Sequence, residues 1–260
     1  GIFDSGLGGL TVLQAIKNKL PDEEYIYFGD TARVPYGNKS SDIITNYAIE
    51  NTIYLMRKGI KLLVVACNTA SAYAIDSLHS FFNIPIIDVI HPSIQETLKR
   101  KKNARIGILG TKATIVSNVY QTLLKDLLPS AEIFAQACPL FVPLVEEGAL
   151  NRPFISSIIE DYLWEIKERK VDTLILACTH YPLLKEQIQN FLGNSVHIID
   201  SARATACTVA NILKVHNLEN HLGKGKSQFF VSDDPQGFLD ASKYISSLES
   251  YNMKVSLVKN

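Results

Sequence analysis

Two cysteines occupy positions where a thiol can react. Cys67 closes the apolar run Leu62-Leu63-Val64-Val65-Ala66 and is followed by Asn68 and Thr69, and Cys178 closes Leu174-Ile175-Leu176-Ala177 and is followed by Thr179 and His180. The second cysteine follows the first by 111 residues. A short apolar run that stops at small polar residues reads as a buried strand feeding a helix. In a parallel sheet the residue at that junction faces the ligand crevice. An exposed helix N-terminus also favours the thiolate, lowering a cysteine from about 8.5. Each thiol is therefore expected to act as acid or base near neutral pH. Set on opposite sides of one bound molecule, two thiols can invert a carbon centre: a thiolate removes the proton from one face and the other thiol delivers one to the opposite face. Cys207, inside an apolar helical run, and Cys138, before Pro139, read instead as small buried hydrophobes.

Further polar residues stand at similar junctions. Asp4-Ser5-Gly6-Leu7-Gly8-Gly9 follows the first apolar run and opens a helix, so its amides are expected to form an anion-binding nest. Thr11 stands where a dinucleotide fingerprint needs glycine, which points to a small carboxylate or amino acid as ligand. Asp4 can orient or deprotonate a thiol, bind a substrate ammonium, or cap the helix. His180 lies two residues past Cys178 and can assist it. Of Glu146 and Glu147, one is expected to be partly buried, the alternative being a solvated helix end. Cys67, Cys178 and His180 also suit a catalytic zinc site, and a two-lobed amino-acid-binding protein without catalysis is a further reading.

These residues need a frame. Apolar runs at 1–3, 25–28, 62–66, 84–89, 106–109, 132–135, 173–177, 196–199 and 228–231 alternate with helical segments, which argues for an α/β fold with mostly parallel strands. Val116, Tyr120, Leu123, Leu124 and Leu127 form one helical stripe; Ile155, Ile158, Ile159, Tyr162, Leu163 and Ile166 form another. Pro129 and Gly193 are the expected terminators. Gly1-Ile2-Phe3 is answered by Gly107-Ile108-Leu109 at an offset of 106, and Ile86-Ile87-Asp88 by Ile198-Ile199-Asp200 at 112. With the cysteine offset, this order implies a duplication. Two pseudo-symmetric lobes are expected, 1–95 with 207–260 and 96–206, each a mostly parallel sheet flanked by helices, with the active site in the cleft between them.

The composition narrows the partners. Of 260 residues, 47% are hydrophobic, and 26 basic residues balance 26 acidic ones, so no global field recruits nucleic acid or a membrane. The run Lys99-Arg100-Lys101-Lys102 has no interleaved aromatics and reads as a solvated helix end. No run reaches the roughly 20 apolar residues of a membrane span. Four cysteines without a CxxC pair read as reduced cytosolic thiols. The chain opens at Gly1 within an expected strand, so a few preceding residues are anticipated.

With these residues in hand, the chain resembles the glutamate racemases of the cofactor-independent aspartate/glutamate racemase superfamily. The likeness runs through residues 3–9, Gly29-Asp30-Thr31-Ala32-Arg33-Val34-Pro35-Tyr36-Gly37, Ala66-Cys67-Asn68-Thr69-Ala70, Gly110-Thr111-Lys112-Ala113-Thr114 and Cys178-Thr179-His180-Tyr181-Pro182. The resemblance implies interconversion of L- and D-glutamate, supplying D-glutamate for peptidoglycan, by two thiols without cofactor or metal. It implies Cys67 as the base acting on D-glutamate, Cys178 as the base acting on L-glutamate, and Asp4 and His180 as their helpers. Glu146 best matches the family's third acidic residue, with Glu147 beside it. Substrate contacts are implied for Asp4, Ser5, Tyr36, Gly37, Asn68, Thr69, Thr111, Thr114, Thr179 and His180. A cytoplasmic homodimer is implied, with a cell-wall precursor as candidate activator. Aspartate racemisation is the nearest rival, because one methylene separates the substrates by only about 1–3 kcal/mol.

Overall fold

A computed structural model describes residues 1–100, 104–223, 225–243, 245 and 253–258. Strands and helices alternate from the start: β1 (Ile2–Asp4), α1 (Leu10–Lys19), β2 (Tyr25–Gly29), α2 (Ser41–Met56), β3 (Leu63–Val65), α3 (Asn68–Phe81), β4 (Ile86–Asp88) and α4 (Ile90–Leu98). The middle of the chain adds β5 (Arg105–Gly110), α5 (Lys112–Val116), α6 (Val119–Leu127), β6 (Glu132–Ala137), α7 (Phe141–Glu146), α8 (Phe154–Glu168), β7 (Thr173–Ala177), α9 (Lys185–Leu192) and β8 (His197–Asp200). Then come α10 (Ser201–Val215), β9 (Ser227–Val231), α11 (Pro235–Ser242) and β10 (Val255–Leu257).

The strands form two parallel sheets, ordered β10-β9-β2-β1-β3-β4 and β6-β5-β7-β8. The order β2-β1-β3-β4 is repeated as β6-β5-β7-β8, so the matched segments occupy matched strands, and Cys67 and Cys178 follow the equivalent strands β3 and β7. The repeat extends to capping. Asp88 Oδ1 accepts from the amides of Ile90 (2.6 Å) and His91 (2.8 Å), and Asp200 Oδ1 accepts from that of Ala202 (2.8 Å). A carboxylate at a helix start satisfies amides that have no partner within the helix. The helices so capped, α4 and α10, carry the chain from one sheet to the other and back, and they pack on each other.

Both faces of both sheets are buried, as the continuous apolar runs demand. On the larger sheet, Ile2, Tyr27 and Val64 pack under Leu10, Leu13, Val209 and Leu213, while Phe3, Leu63 and Val65 pack under Ile44, Leu55, Ala70 and Leu78. On the smaller sheet, Leu174 and Leu176 meet Ile155, Ile159 and Leu163, and Ile106, Ile108 and Ile175 meet Ile90, Ile94, Tyr120 and Leu124.

Nine strands fall on the expected apolar runs; β10 is the addition, and its half-exposed and exposed residues leave no apolar signal. Two expectations need correction. The stripe from Val116 to Leu127 does not lie on one helix: Asn118 takes a left-handed φ of 61°, which separates α5 from α6. Val116 is consequently 70% exposed and Leu127 exposed, leaving Tyr120 and Leu124 as the buried pair. Cys207 is exposed, because the buried face of α10 is made by Ala202, Thr205, Ala206, Val209 and Leu213. Elsewhere the pattern holds: Ile155, Ile159, Leu163 and Ile166 bury one face of α8, Gly193 ends α9 at φ 87°, and Cys138 is buried. Lys99 ends α4 and pairs with Glu96 at 2.5 Å, whereas Lys101 and Lys102 lie outside the described residues. Among the described residues no helix is long and apolar enough to cross a membrane.

Urea unfolding followed by circular dichroism checks the split stripe. Leu124→Ala is expected to cost about 3 kcal/mol, as full core truncations do. Val116→Ala is expected to stay within about 0.5 kcal/mol, as exposed substitutions do.

Candidate active site

The carboxyl ends of β1, β3, β5 and β7 supply Ser5, Cys67, Thr111 and Cys178 to one small cavity. Asn68 and Thr69 follow Cys67 into its wall, Thr179 and His180 follow Cys178, and Pro35-Tyr36-Gly37 with Val142 complete it. A larger hollow beside Gly1, Tyr25 and Leu62 sits at the opposite, amino ends of the strands and gathers no thiol or histidine. Ligands of parallel sheets bind at carboxyl ends, so the smaller cavity is the candidate site.

The glycine loop after β1 lies at the junction between the sheets. Asp4 is wholly buried, and its Oδ2 accepts from the amides of Gly6 (3.0 Å) and Gly9 (3.1 Å). The amide of Leu7 donates to Glu146 Oε1 at 3.1 Å. The loop is thus an anion nest, but these three amides hold the protein's own carboxylates, which corrects the expectation that they bind a ligand's anion. Burial explains this, because an amide removed from water needs an acceptor at all times. Thr179 Oγ1 donates to Asp4 Oδ1 (3.3 Å), and Tyr27 Oη donates to the Gly6 carbonyl (2.7 Å). Gly8 admits no side chain, since a Cβ there would stand 2.5 Å from His180 Nδ1 and from Thr179 Oγ1. The close approach of the two halves therefore depends on a missing methyl group.

The two thiols have unequal surroundings. Cys67 is 5% exposed at the start of α3, and its Sγ donates to Ser5 Oγ at 3.9 Å. Burial, followed by the nearby charge of Asp4, pushes this thiol up to about 12, against lesser relief from the Ala70 amide and Ser5. The helix N-terminus does not bring it down to neutrality as expected, because desolvation and a like charge outweigh the backbone donor. Cys178, equally buried, sits 3.8 Å from His180 Nδ1, and His180 Nε2 is 2.6 Å from Glu146 Oε1. Burial works to lower the His180 imidazole, but its bonds to Cys178 and Glu146 lift it well above its ordinary value. Burial works to raise the Glu146 carboxyl, and the bond and charge of His180 with the Leu7 amide hold it below its ordinary value. The pair is charged: an imidazolium beside the Cys178 sulfur and a carboxylate behind it. Glu147, the adjacent acid, is exposed at the end of α7.

Of the other residues singled out from sequence, Thr69, Thr111 and Thr114 join their hydroxyls across the two halves at 2.9 to 3.1 Å. Thr114 lies behind the cavity wall, as do Asp4 and Glu146, whereas Ser5, Tyr36, Gly37, Asn68, Thr69, Thr111, Thr179 and His180 line it. Among the described residues no group of three or more His, Cys, Asp or Glu side chains is placed to hold a metal ion.

Sequence reasoning missed the support of Tyr36. Its hydroxyl is spent on Asp30, which is wholly buried, and accepts from Asn51 Nδ2 at 2.9 Å. Asp30 also receives Arg33 Nε (2.9 Å) and Ser232 Oγ (2.8 Å). Asp30 directly follows β2, a strand-end position that the rule applied to the cysteines would have found.

The comparisons with known proteins agree with this geometry. Residues 10–209 match the model of the Asp/Glu/Hydantoin racemase family. A glutamate racemase of Aquifex aeolicus is 50% identical over 236 residues, 91% of this chain and 89% of the relative. The crystal structure of a glutamate racemase from Francisella tularensis in complex with D-glutamate superposes with a TM-score of 0.91 at 33% identity, covering 100% of this chain and 96% of that one. That of the Escherichia coli glutamate racemase, with L-glutamate and the activator UDP-MurNAc-Ala, gives 0.84 at 27% identity over 99% and 97% of the chains. Its sequence, its duplicated parallel sheets and its paired strand-end thiols together make this chain a member of the Asp/Glu/Hydantoin racemase family.

Proposed function

We propose that the chain interconverts L- and D-glutamate by a two-thiol proton exchange, with Cys67 and Cys178 acting from opposite sides of Cα. The observation that carries this reading is the pair of buried thiols on one cavity, each beside its own polar partner, Asp4 with Ser5 for one and His180 with Glu146 for the other.

The unequal surroundings assign a starting state. Cys67, held up to about 12, carries its proton at neutral pH and is the acid. In the direction from L-glutamate the base is Cys178, the role implied by the family resemblance, with His180 Nδ1 3.8 Å from its sulfur. The thiolate of Cys178 takes the Cα proton while the thiol of Cys67 gives one to the opposite face, and D-glutamate leaves with the roles exchanged. The incoming substrate ammonium, placed near Asp4, offsets the charge that opposes ionisation of Cys67. Ser5, Tyr36, Gly37, Asn68, Thr69, Thr111, Thr114 and Thr179 are assigned to holding the substrate, directly or from behind. The cavity gathers hydroxyl, amide and imidazole groups around both thiols, and bound glutamate in two related crystal structures supports an amino acid as its ligand.

The reading extends to the division into lobes 1–95 with 207–260 and 96–206, to supply of D-glutamate for peptidoglycan, and to a cytoplasmic homodimer. A UDP-linked cell-wall precursor as activator is supported by its presence on the related Escherichia coli enzyme.

Circular dichroism of chelator-treated protein with either enantiomer is expected to decay to zero ellipticity, and a constant signal with both would remove the reading. Cys67→Ser and Cys178→Ser should each lower racemisation at least about 10³-fold, the scale of lost acid–base catalysis. Each is expected to retain one-sided exchange of the Cα proton with deuterated solvent, and full activity in both variants would exclude the two-thiol scheme.

The His180–Glu146 pair gives a pH signature. A raised histidine contributes stability in full below its unfolded value of about 6.5 and loses it as pH climbs through the raised folded value. A depressed carboxyl contributes above its unfolded value of about 4.5 and loses it as pH falls through the lower folded value. Glu146→Gln should therefore be less stable than the parent by about 2 kcal/mol near pH 6, a discount on a fully buried pair. The gap should close below the folded value of Glu146. Denaturation of both proteins at several pH values checks it, and a gap independent of pH would contradict the ion pair.

A further inference from the structure

Asn68 opens α3 directly after Cys67, and it is 3% exposed. Its Oδ1 accepts a 2.7 Å hydrogen bond from the hydroxyl of Tyr120, which lies on α6 over the other sheet and is itself wholly buried. Its Nδ2 is buried and has no hydrogen-bond partner among the described residues, and Asn68 is one of the residues that line the cavity with both cysteines. One end of this carboxamide is fastened and the other is a buried donor without an acceptor. Burial keeps the Tyr120 phenol well above its ordinary range, so the hydroxyl holds its proton and remains a donor at any working pH. A donor selects the polarity of the amide it meets: the oxygen turns to the hydroxyl, and the NH₂ group turns away from it.

We infer that Tyr120 is a positioning residue, which reaches across from the second sheet and holds the NH₂ group of Asn68 toward the cavity for a carboxylate oxygen of the bound amino acid. The inference rests on the reading of this cavity as the glutamate site. A carboxylate is the matching chemistry, since Nδ2 offers two N–H groups and no lone pair, while a substrate ammonium is suited to Asp4. Tyr120 is not part of the cavity wall and acts only through Asn68. Without the hydroxyl, the amide can turn and present its oxygen, which repels the carboxylate instead of binding it.

Tyr120→Phe keeps the ring that fills the core and removes only the donor. KM for both enantiomers should rise roughly tenfold, the scale of one hydrogen bond to a charged group, while kcat moves less than twofold. In an Asn68→Ala background the same substitution should change KM less than twofold. An unchanged KM in Tyr120→Phe, or full multiplication of the two effects, would overturn the inference. Asn68→Asp keeps an acceptor for Tyr120 and replaces the donor by oxygen, so it tests the inference independently of how Tyr120→Phe folds. Its KM should rise by more than tenfold, and an unchanged value overturns the role of the NH₂ group. The shift of the melting temperature by D-glutamate, measured on each variant, separates this inference from the reaction. A parent that binds glutamate but does not invert it removes the proposed function and still reports on Tyr120.

Discussion

A buried amide must have an acceptor, and the glycine loop between Asp4 and Gly9 shows how much of the molecule follows from that requirement. Three of its amides are taken by carboxylates, two by Asp4 from the first sheet and one by Glu146, which comes from the helix packed on the second. Each carboxylate in turn needs compensation. Asp4 gains it from Thr179, and Glu146 from His180, both in the loop that carries Cys178. The contact that closes the backbone is thereby the contact that sets charge around the second thiol. The absence of side chains at Gly8 lets the two halves come within hydrogen-bonding reach. Removing a charged member leaves a buried donor or charge uncompensated, which is where large losses of stability arise.

Much of the fold was legible because parallel sheets covered on both faces need continuous apolar runs, and nine such runs are strands. The repeat was legible for the same reason: Ile86-Ile87-Asp88 and Ile198-Ile199-Asp200 preserve not only apolar residues but the aspartates that cap α4 and α10. What the pattern could not convey was local. Asn118 breaks an apparently continuous stripe by taking a left-handed φ, and asparagine is tolerated in many other conformations. The face on which Cys207 lies depends on the rotation of α10, which is fixed by packing against α1 and α4. The edge strand β10 is too exposed to carry an apolar signature.

At the candidate site, the strand-end rule located the two cysteines, Asp4 and His180, and the same rule applied to β2 reaches Asp30. Residue types alone did not show which groups would neutralise one another. The nest after β1 reads as a ligand site because sequence displays its amides but not the carboxylates that fold onto them. Cys67 reads as an activated thiol because a helix N-terminus is visible in sequence, whereas burial and the proximity of Asp4 are not. Glu146 and Glu147 differ by one position on a short helix, and only the position of His180 distinguishes them. Tyr120, some fifty residues from Asn68, belongs to the same class of invisible partner.

The dissimilar surroundings of the two thiols lead to a thermodynamic restriction. Mirror-image substrates have equal free energies in water, so the overall equilibrium constant is one whatever the protein does. By the Haldane relation, kcat/KM must then be the same for either enantiomer at each pH. Placing one sulfur beside Asp4 and the other beside an imidazolium can therefore raise kcat in one direction only with a matching rise in KM. A duplicated fold can in this way let its two halves diverge without losing reversibility: the divergence alters how tightly each hand is held, while the balance between the hands belongs to the substrate.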